Sequence, residues 1–198
     1  MRTSKTAASA GVAAFAMWVV VGLGVGLGTG SAQANEEIAK GRALAPSAGA
    51  AYVTPSHQFP TGALLPLARR VELLQWAGSS QAWLIEDDYD GEFRFGGRPL
   101  AALKSLDRDG RVIYIGSFSK TLFPALRLGY MVLPAALREA FHAAKWLEDR
   151  GSNTLEQVAL AQFMAGGGFE RHLRRAAQTL RARRAAMLAG LARHAEGA

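Results

Sequence analysis

The sequence contains no cysteine. A chain without thiols forms no disulfide, offers no thiolate nucleophile, and lacks the sulfur ligands of many zinc sites and the thioether links of c-type haem. Cysteine-ligated zinc and covalently attached haem are therefore excluded, and no other metal site is predicted. Charge is also missing locally, because residues 6–35 include no Asp, Glu, Lys or Arg. That uncharged stretch requires an explanation separate from the rest of the chain.

The remaining composition is typical of a globular protein. The chain has 198 residues, of which 49% are hydrophobic and 20% are charged, and its net charge is +7. This length predicts one domain, with room for an appendage. The positive charge admits nucleic acid or anionic lipid as partners, although an arginine-rich composition alone also explains it.

Residues 1–34 have the pattern of a secretory signal peptide. Arg2 and Lys5 precede an apolar run over residues 12–21, and Ala32-Gln33-Ala34 fits the small-residue cleavage site. The alternative is an uncleaved membrane anchor over residues 6–34, which is long enough to span a bilayer but rich in glycine. We therefore expect export or membrane association, followed by a linker over residues 35–50.

From residue 51 onward, short apolar strands alternate with helical patterns. The strands are predicted at residues 51–53, 82–85, 112–115 and 128–133, and a helix is predicted over residues 66–76. This alternation predicts an α/β fold with a mostly parallel sheet flanked by helices. Because the strands are continuously apolar, we expect the sheet to be covered on both faces.

Polar side chains follow two of these strands. Asp87 and Tyr89 come after one, whereas Ser119 and Lys120 come after the next. In open parallel sheets, ligands bind beyond the carboxyl ends of the strands, so this placement indicates a site. The alternative is that the carboxylates cap a turn and that Ser119 caps a helix.

These residue types suit pyridoxal 5'-phosphate. A lysine such as Lys120 can form an imine with an aldehyde, and the Asp87 carboxylate can keep a pyridine nitrogen protonated. Tyr89 lies two residues further along an extended segment and therefore on the same side, where its phenol can reach the ring oxygen. Hydroxyl and guanidinium groups suited to a phosphate come from Ser117, Ser119 and Arg127.

Three blocks of the chain resemble one family. Residues 52–62 (YVTPSHQFPTG), 85–95 (IEDDYDGEFRF) and 117–130 (SFSKTLFPALRLGY) are similar to blocks of MocR-type transcription regulators. These regulators join a GntR-type winged helix-turn-helix domain to an aminotransferase domain of PLP fold type I. The resemblance extends from about residue 51 to residue 194.

The resemblance implies roles for individual residues. Lys120 would be the Schiff-base lysine, Asp87 the partner of the pyridine nitrogen and Tyr89 the partner of the ring oxygen. His57 falls in the block where simpler aminotransferases keep an asparagine near that oxygen, although a turn-building role is equally compatible. The phosphate contacts would be Ser117, Ser119 and Arg127.

The resemblance covers only part of the family pattern. Residues 51–168 correspond to part of the large domain, and residues 169–198 to a basic amphipathic helix leading toward a small domain. We therefore expect a truncated PLP-binding, aminotransferase-like domain. The alternative is a non-catalytic effector-sensing segment of such a regulator. Either implies an amino acid or amine as ligand and a homodimer as assembly, and DNA contact by this chain alone is not expected.

Overall fold

The structure is a computed structural model that describes residues 41, 43–58, 61–95 and 101–194, together with the backbone of residues 17–19. Apart from that short backbone segment, the predicted signal peptide lies outside the described residues. In the described part of the chain, no helix combines the length and the apolar composition needed to cross a bilayer.

Five strands form one sheet in the order β1-β2-β3-β4-β5. Strands β1 to β4 are parallel to one another, and β5 runs antiparallel to β4. All four strands predicted from the sequence are present, so the mostly parallel α/β fold is confirmed. The bounds are β1 Met17–Val19, β2 Ala50–Val53, β3 Trp83–Asp88, β4 Val112–Ser117 and β5 Gly129–Val132.

Helices occupy the connections between strands and most of the chain after β5. The two helices predicted from the sequence are both found, as α1 and α5. In order, the helices are α1 Leu67–Ser79, α2 Leu103–Leu106, α3 Arg138–Asp149, α4 Thr154–Ala165 and α5 Gly168–His194.

The hydrophobic core lies between α1 and one face of the sheet. Leu84 of β3 and Val112 of β4 are fully buried there, against Leu73 and Trp76 of α1. Side chains alternate between the two faces of a strand. Glu86 and Asp88 therefore share the helix-covered face with Leu84, and Asp87 points to the opposite face.

Helical spacing places the apolar residues Leu67, Val71 and Leu74 on one stripe of α1, and only part of that stripe is buried. The apolar positions Leu67 and Val71 are 50% and 42% exposed, whereas Arg70 and Leu73 are 0% and 1% exposed. Arg70 is buried because its guanidinium binds three backbone carbonyls. A charged residue can thus occupy a core position when each of its guanidinium nitrogens donates a hydrogen bond.

The last strand departs from the expectation of a covered sheet. All four residues of β5 are exposed, with exposed fractions of 39%, 45% and 45% for Tyr130, Met131 and Val132. The expectation that the sheet is covered on both faces is therefore wrong at β5 in the described structure.

Candidate functional site

Three neighbouring parallel strands end at the same edge of the sheet. Asp87 lies at the end of β3 and Tyr89 directly after it, whereas Lys120 lies three residues beyond β4. His57 lies four residues beyond β2. Because β2, β3 and β4 are adjacent and parallel, their carboxyl ends deliver these residues to one region. The structure thus assembles side chains that are up to 63 positions apart in the sequence.

Lys120 lies in the connection between β4 and β5. Backbone hydrogen bonds shape this segment, from the Leu122 amide to the Phe118 carbonyl at 2.9 Å and from the Phe118 amide to the Leu128 carbonyl at 3.1 Å. The Lys120 side chain is exposed, and no residue that the structure describes forms a hydrogen bond or ion pair with its amine. The amine is therefore available to a ligand.

The same connection carries the predicted phosphate contacts. The Ser119 amide donates to Ser117 Oγ at 3.1 Å, which leaves the Ser117 hydroxyl proton free to donate elsewhere. Arg127 is exposed and adopts left-handed backbone angles (φ 51°) directly after the 3-10 turn Pro124–Leu126. Ser119 caps no helix, so the capping alternative for this residue finds no support.

Asp87 has a partner that the sequence did not indicate. The Tyr52 hydroxyl of β2 donates a hydrogen bond to Asp87 Oδ2. The contact is diagonal across the β2–β3 ladder, where Tyr52 pairs with Ile85, two residues before Asp87. Burial raises the pKa of Tyr52 to about 12, and the Asp87 carboxylate adds to this shift. Tyr52 therefore remains a protonated donor at neutral pH.

The neighbouring carboxylate has a similar partner on the opposite face. The Tyr114 hydroxyl of β4 donates to Asp88 Oδ2 at 3.0 Å. Asp88 Oδ1 is buried and has no hydrogen-bond partner among the described residues. Burial, together with the charge of Asp88, raises the pKa of Tyr114. Two adjacent carboxylates are thus each held by a tyrosine from a different flanking strand.

Two contacts join the segment after β2 to the segment after β3. His57 Nδ1 lies 2.8 Å from Asp90 Oδ1, and the Tyr89 hydroxyl donates to the His57 carbonyl at 2.7 Å. Burial raises the pKa of Tyr89, as do the charges of Asp90 and Asp87. A phenol has one proton to donate, so the role predicted for Tyr89 requires this proton to leave the His57 carbonyl.

Arg70 supports the site from the core. Its guanidinium donates to the carbonyls of Pro55, Leu65 and Ala101 at 2.8, 2.9 and 3.0 Å. Pro55 lies just after β2, so this clamp holds the segment that carries His57. Burial lowers the pKa of Arg70, whereas the charge of Glu86 raises it.

Glu86 is the second buried charge beneath the site. Its carboxylate accepts the amide protons of Leu103 and Lys104, each at 2.8 Å, at the start of α2. Burial raises the pKa of Glu86, and these two hydrogen bonds and the charge of Arg70 lower it. The Glu86 carboxylate therefore links β3, which carries Asp87 near its end, to the start of α2.

A family model covers most of the chain. The model for aminotransferases of class I and II matches residues 43–197. Among curated proteins, the chain is 44% identical over 142 residues to the uncharacterized HTH-type transcriptional regulator YdeL of Bacillus subtilis. It is also 44% identical over 149 residues to the probable rhizopine catabolism regulatory protein MocR of Rhizobium meliloti. The resemblance to MocR-type regulators is therefore confirmed.

These matches cover most of this chain but only part of each relative. The two alignments include 72% and 75% of this chain but only 31% and 30% of the relatives. The chain therefore spans about a third of the length of the curated relatives it matches.

Solved aminotransferase structures share the fold. The kynurenine aminotransferase of Pyrococcus horikoshii, solved with PMP, is 34% identical with a TM-score of 0.73, over 79% of this chain and 40% of that one. The multiple substrate aminotransferase of Thermococcus profundus is 29% identical with a TM-score of 0.72, over 81% and 40% of the two chains. The described sheet and helices are thus part of the PLP fold type I large domain. On sequence and structure together, the chain belongs to the aminotransferase class I and II family.

Proposed function

We propose that this chain forms the lysine-bearing part of a pyridoxal-phosphate site, with Lys120 as the covalent attachment point. The observation that carries the proposal is the convergence of β2, β3 and β4 on one edge of the sheet. That edge carries both the unpaired Lys120 amine and the Asp87 carboxylate. The solved relatives of the same fold include one complexed with PMP and one with a phosphopyridoxyl amino acid.

The available donors match the chemistry of the cofactor. The Lys120 amine suits its aldehyde, and the Asp87 carboxylate suits its ring nitrogen, because an ion pair keeps that nitrogen protonated. Tyr89 is the donor assigned to the ring oxygen once its proton leaves the His57 carbonyl. The phosphate would be held by the hydroxyl and guanidinium groups of Ser117, Ser119 and Arg127.

The reaction supported by this set of groups is transamination of an amino acid or amine. When bound, the cofactor supplies an electron sink in its protonated ring. Lys120 would act twice: it holds the cofactor, and after the substrate amine displaces it, Nζ takes the proton from the substrate Cα. Asp87 would hold the charge on the ring nitrogen while that proton moves.

Reduction with borohydride tests the attachment point. Purified chain mixed with pyridoxal phosphate should develop a visible absorbance band, and borohydride should fix the cofactor on the peptide that contains Lys120. Lys120→Ala should lose the band. The matched control is Lys145→Ala, because Lys145 is also exposed but forms an ion pair with Asp149 at 2.6 Å.

The peptide map makes the outcome decisive, since the chain has five lysines. Modification concentrated on Lys120 and unchanged in Lys145→Ala supports the proposal. Modification spread over all five lysines, or a band that survives in Lys120→Ala, contradicts it.

A second candidate is favoured by the identity of the curated relatives. Those with the higher identities are transcriptional regulators, which points to sensing an amino acid or amine without turnover. Adding amino acids to the cofactor-loaded chain separates the two functions. Release of a keto acid indicates transamination, whereas a change in the absorbance band without keto acid indicates sensing.

A further inference from the structure

The contact between Tyr52 and Asp87 crosses from β2 to β3 on the face of the sheet opposite the core. Asp87 points away from α1, and the Tyr52 hydroxyl reaches it there and donates to Oδ2. No described residue donates to the other oxygen, Asp87 Oδ1. One carboxylate oxygen is thus fixed by the protein, and the other remains available.

We infer that Tyr52 is a positioning residue that holds the Asp87 carboxylate with one oxygen directed at the ring nitrogen of the cofactor. The inference rests on the proposed cofactor site and adds a residue to it. A carboxylate on a strand end rotates freely about its side-chain bonds unless a donor fixes it. The Tyr52 hydrogen bond restricts this rotation before the cofactor binds, so the entropy cost of ordering the Asp87 side chain is removed from cofactor binding.

The placement of Tyr52 suits this role better than a purely structural one. Its backbone is set by the β2–β3 ladder, in which it pairs with Ile85. The aromatic ring therefore extends from a rigid strand, which limits the positions that its hydroxyl can take. A donor on a loop would allow the Asp87 carboxylate more freedom.

Asp88 and Tyr114 provide an internal comparison. Their hydrogen bond also joins a strand tyrosine to a carboxylate, at 3.0 Å, but on the helix-covered face of the sheet. Since Asp88 points away from the face on which Asp87 lies, Tyr114 should not influence the ring nitrogen. The two tyrosines therefore form a matched pair of test and control.

The experiment measures cofactor binding in wild type, Tyr52→Phe and Tyr114→Phe, using pyridoxal phosphate as the probe. In Tyr52→Phe the Asp87 side chain has to be ordered when the cofactor binds, which should weaken binding by about three- to tenfold. The pH at which the ring nitrogen loses its proton, read from the absorbance of the bound cofactor, should fall in the same variant. Tyr114→Phe should match wild type in both measurements.

A double-mutant cycle shows whether Tyr52 acts through Asp87. In an Asp87→Asn background, Tyr52→Phe should cause no further loss of affinity, because the charge that it positions is gone. An equal loss in both backgrounds would overturn the inference, since the tyrosine would then act by packing. Thermal unfolding of each variant, followed by circular dichroism, accounts for any loss of fold.

The remaining outcomes separate this inference from the proposed function. If wild type takes up no cofactor on Lys120, both are overturned. If wild type binds and Tyr52→Phe binds equally well with an unchanged pH profile, only the inference is overturned. Both effects in Tyr52→Phe, together with their absence in Tyr114→Phe, support it.

Discussion

Asp107 organises the turn that leads into β4. Its carboxylate accepts the amide protons of Arg111 at 3.0 Å and Val112 at 2.9 Å, and it lies 3.4 Å from Lys104 Nζ. Although burial raises the pKa of Asp107, these two amides and the Lys104 charge outweigh it, so the net pKa is below its usual value. The ionised carboxylate therefore stabilises the fold.

The sign of that shift sets a pH dependence. A carboxyl whose pKa is depressed in the folded state adds stability above the unfolded pKa of about 3.9, and loses it as the pH falls through the folded pKa. Asp107→Asn should therefore lower the free energy of unfolding at pH 7 by about 1–2 kcal/mol. Urea unfolding should show this gap closing below about pH 4.

The control for Asp107 lies in the same turn. Asp109 is exposed and accepts no hydrogen bond from the described residues, so Asp109→Asn should change stability by less than about 0.5 kcal/mol. A gap between wild type and Asp107→Asn that stays constant down to pH 3 would contradict the role assigned to the carboxylate.

The sequence indicates candidate site residues more readily than it indicates their partners. Asp87 and Lys120 stand in short blocks whose composition and place after a strand are visible in the sequence. The Tyr52–Asp87 hydrogen bond joins residues 35 positions apart and depends on the register between two strands. Sequence patterns show that a strand exists but not which residue lies diagonally opposite, so the contact between Tyr52 and Asp87 cannot be predicted from the sequence.

At the scale of elements, α1 shows the limit of helical periodicity. The spacing predicts the helix, but of the stripe through Leu67, Val71 and Leu74 only Leu74 packs against the core. Because Arg70 is an acceptable core residue when bound to three carbonyls, the buried face is turned relative to the apolar stripe. A pattern of apolar residues alone does not show this rotation of the buried face, because it leaves out the buried arginine.

Two alanine substitutions test which face of α1 is buried. Leu73→Ala should lower the free energy of unfolding by about 2–5 kcal/mol, because Leu73 is 1% exposed in the core. Val71→Ala should cost less than about 1 kcal/mol, because Val71 is 42% exposed. Equal losses of stability in the two variants, measured by chemical denaturation, would contradict this assignment of the buried face.

The long helix α5 is present where the sequence predicts a helix, and its two ends differ in packing. Phe169 stacks edge-on against Phe118 with ring centroids 5.9 Å apart, and His172 Nε2 lies 2.8 Å from the Thr121 carbonyl. Further along, Met187 and Leu191 are 59% and 53% exposed. The first turns of α5 therefore pack beside the segment that carries Lys120, and its later apolar residues do not.

At the scale of the whole molecule, the N-terminal segment has two incompatible descriptions. The sequence predicts cleavage after Ala34, whereas the structure pairs the backbone of Met17–Val19 in parallel with β2. One molecule cannot lose residues 1–34 and keep β1.

If residues 1–34 are a removable leader, a chain of residues 35–198 should keep the fold. Three ladder pairs join β1 to β2, and their loss should lower the midpoint of thermal unfolding by less than about 8 °C relative to residues 1–198. Circular dichroism melts of the two chains measure this. If residues 35–198 fail to unfold cooperatively, β1 is a necessary strand and residues 1–34 cannot be a removable leader. Cleavage itself is a separate measurement: if residues 1–34 are a signal peptide, mass spectrometry of the chain secreted by an expressing host should find a mature start at Asn35, and a chain that still begins at Met1 would contradict that prediction.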